Sequence, residues 1–279
     1  MLDQLLQVLT PRLLSEDVFE ADNMHPDAPR VFGGQVLAQA LRAAAATVPV
    51  ERAVHSQHAY FLRPGDPAQA IRLEVDRALD GGSLSSRRVV ALQRGKPILV
   101  CSVSFQSHGA GDDFQRTAPD VPPPEGLHSE RQRALEEGSM DDTFPLLTGT
   151  DLDVRMVTPV DWLNPRPLPP SLSAWVKTNG PVNEADAVHA SLLAYFSDTL
   201  LIDVCLAATG RSYLHNDLQL ASLDHALWFH APVRADEWLL HTVEAERVGA
   251  GRGLAFGRFY NRQGVLVASA AQQGLMRQR

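Results

Sequence analysis

Lysine is nearly absent from this chain of 279 residues, since Lys96 and Lys177 are the only two and arginine supplies almost all the positive charge. Positive charge is itself scarce: 25 Lys and Arg residues face 33 Asp and Glu residues, for a formal net charge of −8. Proteins that bind nucleic acid usually carry a basic excess or a basic patch. The charge balance therefore argues against nucleic acid as a partner.

Cysteine and long apolar runs are also rare. The only cysteines, Cys101 and Cys205, lie in apolar surroundings and cannot build a disulfide framework or a zinc site. We therefore expect a reducing, cytoplasmic environment, with no metal and no cofactor. No run of about 18 apolar residues is present, and residues 1–7 lack the features of a secretory signal, so we expect no membrane contact.

Acidity and proline are concentrated in residues 109–150, which contain nine acidic residues, three arginines and a proline run at 122–124. Because like charges extend a chain and proline interrupts regular hydrogen bonding, this composition predicts a linker. Ser129 is placed to cap a short helix that ends at Glu137. The predicted domains are 1–108, an acidic Pro-rich linker at 109–150, and 151–279.

The two predicted domains resemble each other. The sequence Tyr60-Phe-Leu-Arg-Pro64 matches Trp228-Phe-His-Ala-Pro232, and the two prolines lie 168 residues apart. In each half, two β-rich runs then flank a glycine-containing turn, which is typical of a hairpin. An apolar helix is predicted ahead of each strand set, at 34–46 and at 187–207. The pattern predicts an α+β fold of two repeats, each a buried helix covered by a curved antiparallel sheet.

Three polar residues stand out because their surroundings are apolar. Asp198 ends the apolar run of the second helix, Ser222 precedes a strand, and Gln272 lies within a strand expected to be buried. A buried carboxylate or amide is costly unless it is paired or used in chemistry. From the residues alone, a local structural role remains open for each of them.

Several longer motifs point to a known family. They are Val31-Phe-Gly-Gly-Gln-Val36, the stretch from His55 to Asp66, and the runs at 85–93, 222–230 and 266–276. With these motifs in this order, the chain from about Val18 to Arg277 resembles the type II acyl-CoA thioesterases of bacteria and their peroxisomal relatives. The resemblance implies a double hotdog fold and an enzyme of fatty acid and lipid metabolism that hydrolyses acyl-CoA to a carboxylic acid and coenzyme A.

The resemblance also implies catalytic residues. The family's Asp, Thr or Ser, and Gln fall on Asp198, Ser222 and Gln272, which would aim one water at the thioester carbonyl without a covalent acyl-enzyme. A buried helix N-terminus is the expected source of oxyanion donors. Gly33 and Gly34 are candidates for contact with the acyl chain or the carbonyl, and packing between the two repeats would explain these glycines equally well.

Other polar residues are weaker candidates. His58 and His225 are expected to be structural, bonding to backbone or carboxylates. Four arginines are candidates for contact with the phosphates of coenzyme A. These arginines are Arg63, Arg87, Arg88 and Arg252.

Two other functions stay open at this point. One is a hotdog enoyl-CoA hydratase, although the Asp-and-His loop that such enzymes use is not found in the sequence. The other is a non-catalytic acyl-CoA binding protein, which would have no need of all three polar groups. A homodimer or homotetramer is compatible with the resemblance, and the preferred acyl chain length is left open.

Overall fold

Thirteen strands form one antiparallel sheet in the described part of the chain. The structure is a computed structural model that describes residues 2–107, 109, 111–136, 151–215 and 217–279. The first-half strands are β1 (Arg12–Ser15), β2 (Val18–Ala21), β3 (Ala53–Phe61), β4 (Ile71–Asp80), β5 (Leu84–Gln93) and β6 (Lys96–Gln106). The second-half strands are β7 (Leu152–Met156), β8 (Ser171–Thr178), β9 (Leu218–Ser222), β10 (Asp224–Phe229), β11 (Leu239–Gly249), β12 (Arg252–Asn261) and β13 (Leu266–Gln278).

The buried helices pack on one face of this sheet, called the inner face below. Helix α2 (Gly33–Ala45) lies against β3, β4, β5 and β6 and also against helix α4 (Asp186–Ser197), while helix α5 (Leu201–Thr209) lies against β8, β11, β12 and β13. Apolar side chains of these helices and strands form the main core. The helices are α1 (Leu2–Val8), α2 (Gly33–Ala45), α3 (Glu130–Glu136), α4 (Asp186–Ser197) and α5 (Leu201–Thr209), with a 3₁₀ turn at Pro124–Gly126.

The strand order reflects the predicted duplication. The order is β1-β2-β4-β5-β6-β3-β10-β13-β12-β11-β8-β7, with β9 also paired to β13. The sequence β4-β5-β6-β3 in the first half thus mirrors β11-β12-β13-β10 in the second. Where the halves meet, His58 pairs with Ala226, so the register across β3 and β10 reproduces the 168-residue offset of the sequence repeat. The predicted α+β class, with buried helices and one antiparallel strand set in each half, is confirmed.

Two tight turns set the hairpin registers. Arg94 and Gly95 link β5 to β6 with φ values of 51° and 72°, and Ala250 and Gly251 link β11 to β12 with φ values of 49° and 71°. Two consecutive residues with positive φ suit the right-handed twist of the flanking strands. The glycine-rich stretch at 249–253 therefore forms a turn and the strand ends that flank it.

The prediction of one continuous helix over 187–207 is wrong. Leu200 adopts a left-handed conformation with φ of 66° and separates α4 from α5. By length and composition the stretch Asp186–Thr209 could span a membrane, but 72% of its most apolar window is buried inside the fold. A core helix passes the same test, and the extensive burial here fits that role. The break places Asp198 at the C-terminal cap of α4.

The acidic segment packs against the outer face of the sheet over its described part. The indole Nε1 of Trp175 donates to the carbonyl of Pro122 (2.9 Å), and Leu127 contributes to a small apolar cluster there. Helix α3 begins after Ser129, whose Oγ accepts from the N–H of Gln132 (3.1 Å) as a cap. The predicted end of this helix at Glu137, and the acidic residues Asp141 and Asp142, lie outside the described residues.

Candidate active site

The three polar residues selected from the sequence converge at the junction of the two halves. Asp198, half-buried, accepts through Oδ2 from the backbone N–H of Gly34 (2.9 Å) and through Oδ1 from the hydroxyl of Ser222 (3.2 Å). The Nε2 of Gln272, a buried residue on β13, donates to the Oγ of Ser222 (3.2 Å). A carboxylate, a hydroxyl and an amide therefore form one continuous hydrogen-bonded group.

Both halves of the chain build this group. Asp198 ends α4 of the second half, whereas Gly34 lies in the first turn of α2 of the first half. The positive end of the α2 dipole and a backbone donor are thereby aimed at the carboxylate. The sequence-based expectation assigned helix N–H groups to an oxyanion, but the N–H of Gly34 is engaged by Asp198.

Two glycines allow this close approach. A Cβ placed on Gly33 would lie 2.6 Å from Oδ2 of Asp198, and a Cβ on Gly34 would lie 2.4 Å from the carbonyl oxygen of Tyr195. Any larger residue would push the carboxylate or helix α4 away. Gly33 and Gly34 thus fit α2 against α4 and against Asp198 itself. The sequence had suggested contact with the acyl chain or carbonyl.

Burial raises the pKa of Asp198 from its usual 3.8 to about 6. The hydrogen bonds from Gln272, Gly34 and Ser222 and the positive charge of Arg30 act in the opposite direction and limit the rise. A carboxylate with a pKa near 6 is ionised at neutral pH and basic enough to take a proton from water. The group can therefore hold a water molecule and act as a general base.

The two candidate histidines lie on opposite faces of the sheet. His58 is exposed on the outer face, where its ring meets Trp228 edge-on at 5.0 Å. His225 is buried on the inner face, and its Nδ1 lies 2.6 Å from Oε1 of Gln272. Burial lowers the pKa of His225 to about 4. His225 was expected to bond to backbone or to carboxylates, and it bonds instead to an amide of the predicted trio.

Arg87 does not suit contact with a phosphate. It is 1% exposed and donates to Thr47, Leu79, Ser86 and Asp80, so the structure assigns it to the packing of the first half. Its place on β5 was ambiguous in sequence, because strand side chains alternate between faces and either neighbouring arginine could point inward.

The other three arginines are exposed, but they differ in position. Arg88 and Arg252 occupy outward positions in β5 and β12, on the face away from Asp198. Arg63 donates to the carbonyl of Pro97 (2.7 Å) and follows Phe61 by two residues, and the ring of Phe61 is 3.0 Å from a Cβ built on Gly33. The sequence did not identify Arg30, which is exposed, donates to the carbonyl of Leu220 (2.8 Å) and lowers the pKa of Asp198. No motif singles Arg30 out.

The corresponding place in the first half carries different residues. In the second half, Gln272 on β13 pairs with Ala255 on β12. The strand on the other side of β13 is β10, which carries His225. The equivalent row of the first half consists of Arg87, Val103 and Gln57. Valine replaces the amide there, and the guanidinium of Arg87 occupies the end of α2 beside Thr47. Among the described residues, the complete group is therefore found once.

The fold places this chain in the class of double hotdog thioesterases. The family models described as "Acyl-CoA thioesterase N-terminal domain" and "Acyl-CoA thioesterase C-terminal domain" match residues 21–106 and 117–276. The chain belongs to the acyl-CoA thioesterase family, as the resemblance of its motifs predicted.

Curated relatives match over nearly the whole chain. Acyl-coenzyme A thioesterase 8 of Homo sapiens is 36% identical over 97% of this chain and 88% of its own length. Acyl-CoA thioesterase 2 of Haemophilus influenzae is 34% identical over 99% of this chain and 98% of its own length.

Solved structures agree with the fold. An acyl-CoA thioesterase II from Mycobacterium marinum superposes with a TM-score of 0.81 at 33% identity, covering 99% of this chain and 98% of its own. A protein described as having a hot dog fold, from Alicyclobacillus acidocaldarius, reaches a TM-score of 0.78 at 17% identity, covering 99% and 98% of the two chains. The second likeness concerns the fold alone, and both agree with the predicted double hotdog.

Proposed function

We propose that this protein hydrolyses acyl-CoA thioesters to a free carboxylic acid and coenzyme A, using a water held by Asp198, Ser222 and Gln272. The observation that carries the proposal is the convergence of these three side chains, from separate elements, on one hydrogen-bonded group with a carboxylate whose pKa is about 6. Curated relatives named as acyl-CoA thioesterases support the same reaction and substrate class.

The proposed chemistry needs one water and one base. The water oxygen attacks the thioester carbonyl carbon while Asp198 accepts the released proton. The tetrahedral intermediate then collapses with cleavage of the C–S bond, and the proton returns to the departing thiolate. Ser222 and Gln272 orient the carboxylate and the water, and such positioning supplies on the order of 7–11 kcal/mol in favourable cases.

Two arginines are proposed to meet the phosphates of coenzyme A. Arg30 and Arg63 are exposed near the site, and guanidinium groups bind phosphate through charge-assisted hydrogen bonds. Each already donates to a backbone carbonyl, of Leu220 and Pro97 respectively, which holds the side chain in place.

The decisive experiment measures thiol release from a panel of acyl-CoA esters with the wild type and the Asp198→Asn variant. We expect hydrolysis by the wild type and a fall in kcat of about 100-fold or more in the variant, with the fold retained. Near-native turnover by Asp198→Asn would refute the role of Asp198. Loss of enoyl-CoA absorbance without thiol release would indicate a hydratase, and tight binding without turnover would indicate a binding protein.

Self-association is proposed through the outer face of the central strands. Tyr60, Trp228 and Phe256 lie on this face and are 63%, 37% and 39% exposed. Several exposed aromatic side chains on one sheet face are typical of an interaction surface. Light scattering should show a dimer or tetramer, and Trp228→Lys should shift it to monomer. A monomeric wild type would refute the proposal.

A cytoplasmic location and a role in lipid metabolism are part of the same proposal. Both cysteines are free and buried, which suits a reducing compartment. Any pathway that uses this enzyme must supply activated acyl thioesters and consume free carboxylic acids.

A further inference from the structure

A second layer of hydrogen bonds lies behind the proposed catalytic group. On the far side of the Gln272 amide, Nδ1 of His225 lies 2.6 Å from Oε1, and Nε2 of His225 lies 2.9 Å from Oγ of Ser197. All three side chains are buried. The mechanism described above uses neither His225 nor Ser197.

The donor and acceptor roles of these atoms fix the direction of each hydrogen bond in this series. Oδ1 of Asp198 is an acceptor, so the hydroxyl proton of Ser222 points to it and the Oγ of Ser222 must accept from Gln272. The amide nitrogen of Gln272 therefore faces Ser222 and its carbonyl oxygen faces His225. That oxygen can only accept, so Nδ1 of His225 carries a proton.

The remaining ring nitrogen completes the assignment. The Oγ of Ser197 lies 2.8 Å from the carbonyl of Ala194 and 2.9 Å from Nε2 of His225, and it has one proton to give. Donation to Ala194 would require a second proton on His225 and hence a buried cation. Since burial holds the pKa of His225 near 4, the ring is neutral and Ser197 donates to Nε2.

We infer that His225 is a positioning residue that fixes the amide of Gln272 in the only orientation compatible with a donor aimed at Ser222. This inference rests on the proposed function. With the amide turned over, its oxygen would face Ser222 and would compete with Asp198 for the hydroxyl proton. The orienting bond of Ser222 to the carboxylate would then be lost.

The first half of the chain offers an internal comparison. The position that corresponds to His225 holds Gln57, whose Nε2 donates to the carbonyl of Leu37 (2.9 Å). Its cross-strand neighbour is Val103, which has no amide to orient. The half that lacks the complete group thus has neither a counterpart histidine for His225 nor a counterpart glutamine for Gln272. The presence of Gln57 shows that a glutamine fits the fold at the position equivalent to His225.

The test compares His225→Gln with His225→Asn. Asparagine keeps an amide N–H close to the position of Nδ1, whereas glutamine carries its N–H further out, towards Ser197. We expect kcat to fall about 10-fold in His225→Gln, consistent with a lost buried hydrogen bond, and to stay within about 2-fold of wild type in His225→Asn. KM should be unchanged in both variants.

His241→Gln is the matched control. His241 is also buried on the inner face, stacks on Phe259 at 3.9 Å, and has no hydrogen-bond partner at either ring nitrogen among the described residues. The same substitution there should leave kcat unchanged. Melting temperatures of all variants separate loss of fold from loss of turnover.

A double-mutant cycle completes the test. If His225 acts through Gln272, then His225→Gln should cause no further loss of kcat in a Gln272→Ala background. The inference is overturned if His225→Gln matches the wild type, if His225→Asn is as impaired as His225→Gln, or if the two losses multiply. Failure of the proposed function is separate, since it would appear as no thiol release by the wild type or as full activity in Asp198→Asn.

Discussion

Replacing Asp198 by asparagine should make the protein more stable at neutral pH while it removes activity. The structure holds this carboxylate in a place where burial raises its pKa from 3.8 to about 6. The folded state therefore disfavours the ionised form that the proposed chemistry requires. Active sites often hold such unfavourable groups, and removing them trades activity for stability.

The magnitude follows from linkage. Because the pKa is raised on folding, ionisation opposes folding: the penalty is absent below the unfolded pKa of 3.8 and complete above about 6. At full ionisation the difference between the two pKa values corresponds to about 3 kcal/mol. At pH 5 the penalty is roughly half of this value, so the stability of Asp198→Asn relative to wild type should grow by about 1 kcal/mol between pH 5 and pH 8.

The assay is urea unfolding of both proteins at several pH values. The quantity to compare is the change with pH of the difference in unfolding free energy between the two proteins. Any contact that asparagine makes or loses contributes equally at every pH and cancels from this change. Asp203→Asn is a matched control, because Asp203 is buried, receives a hydrogen bond from Tyr213 and also has a pKa raised by burial to about 6. It should show a similar gain in stability with thioesterase activity retained.

A pH-independent stability difference for Asp198→Asn would refute this reasoning. It would mean that the carboxylate ionises as easily in the folded as in the unfolded chain, and that the hydrogen bonds from Gly34 and Ser222 fully offset its burial. Loss of activity in Asp203→Asn would instead show that the two buried carboxylates are not functionally separate.

Four further predictions concern the same site. In pH profiles, kcat/KM should fall about tenfold per pH unit below about pH 6, as Asp198 takes up a proton. Ser222→Ala should lower kcat in thiol-release assays because it breaks the link to the carboxylate, whereas Ser222→Thr keeps the hydroxyl and should stay active. Gly33→Ala should lower both kcat and melting temperature, since its Cβ would lie 2.6 Å from Oδ2 of Asp198. Arg30→Gln removes a charge that lowers the pKa of Asp198, so it should move the acid limb to higher pH; an unmoved limb would contradict that assignment.

The repeat and its consequences were accessible from sequence. Helix-forming residues and hairpin turns are local signals, and the 168-residue offset is found by comparing the two halves. The register of His58 with Ala226 reproduces that offset. Asp198 and Gln272 were identifiable because a polar residue in an apolar run is conspicuous. The family resemblance, and not periodicity, assigned them a shared role.

The remaining features depend on contacts between distant segments. The break at Leu200 interrupts an apolar run that contains no glycine or proline, and α4, which ends before this break, packs against α2 of the other half. The inward position of Arg87 depends on Thr47 and on strand pairing. The role of His225 requires knowing which end of an amide it faces. None of these contacts has a signature in local sequence.

The fused arrangement of the halves has a consequence for how the enzyme can change. In a symmetric dimer of single repeats, one substitution would alter two equivalent sites at once. Here the row proposed to support catalysis holds His225 and Gln272, while its counterpart holds Gln57 and Val103. Residues of this row in the first half can therefore change without altering the corresponding row of the second half. The first half still supplies the helix end that faces Asp198. The two halves of one chain therefore contribute different groups to the same site and can change independently of each other.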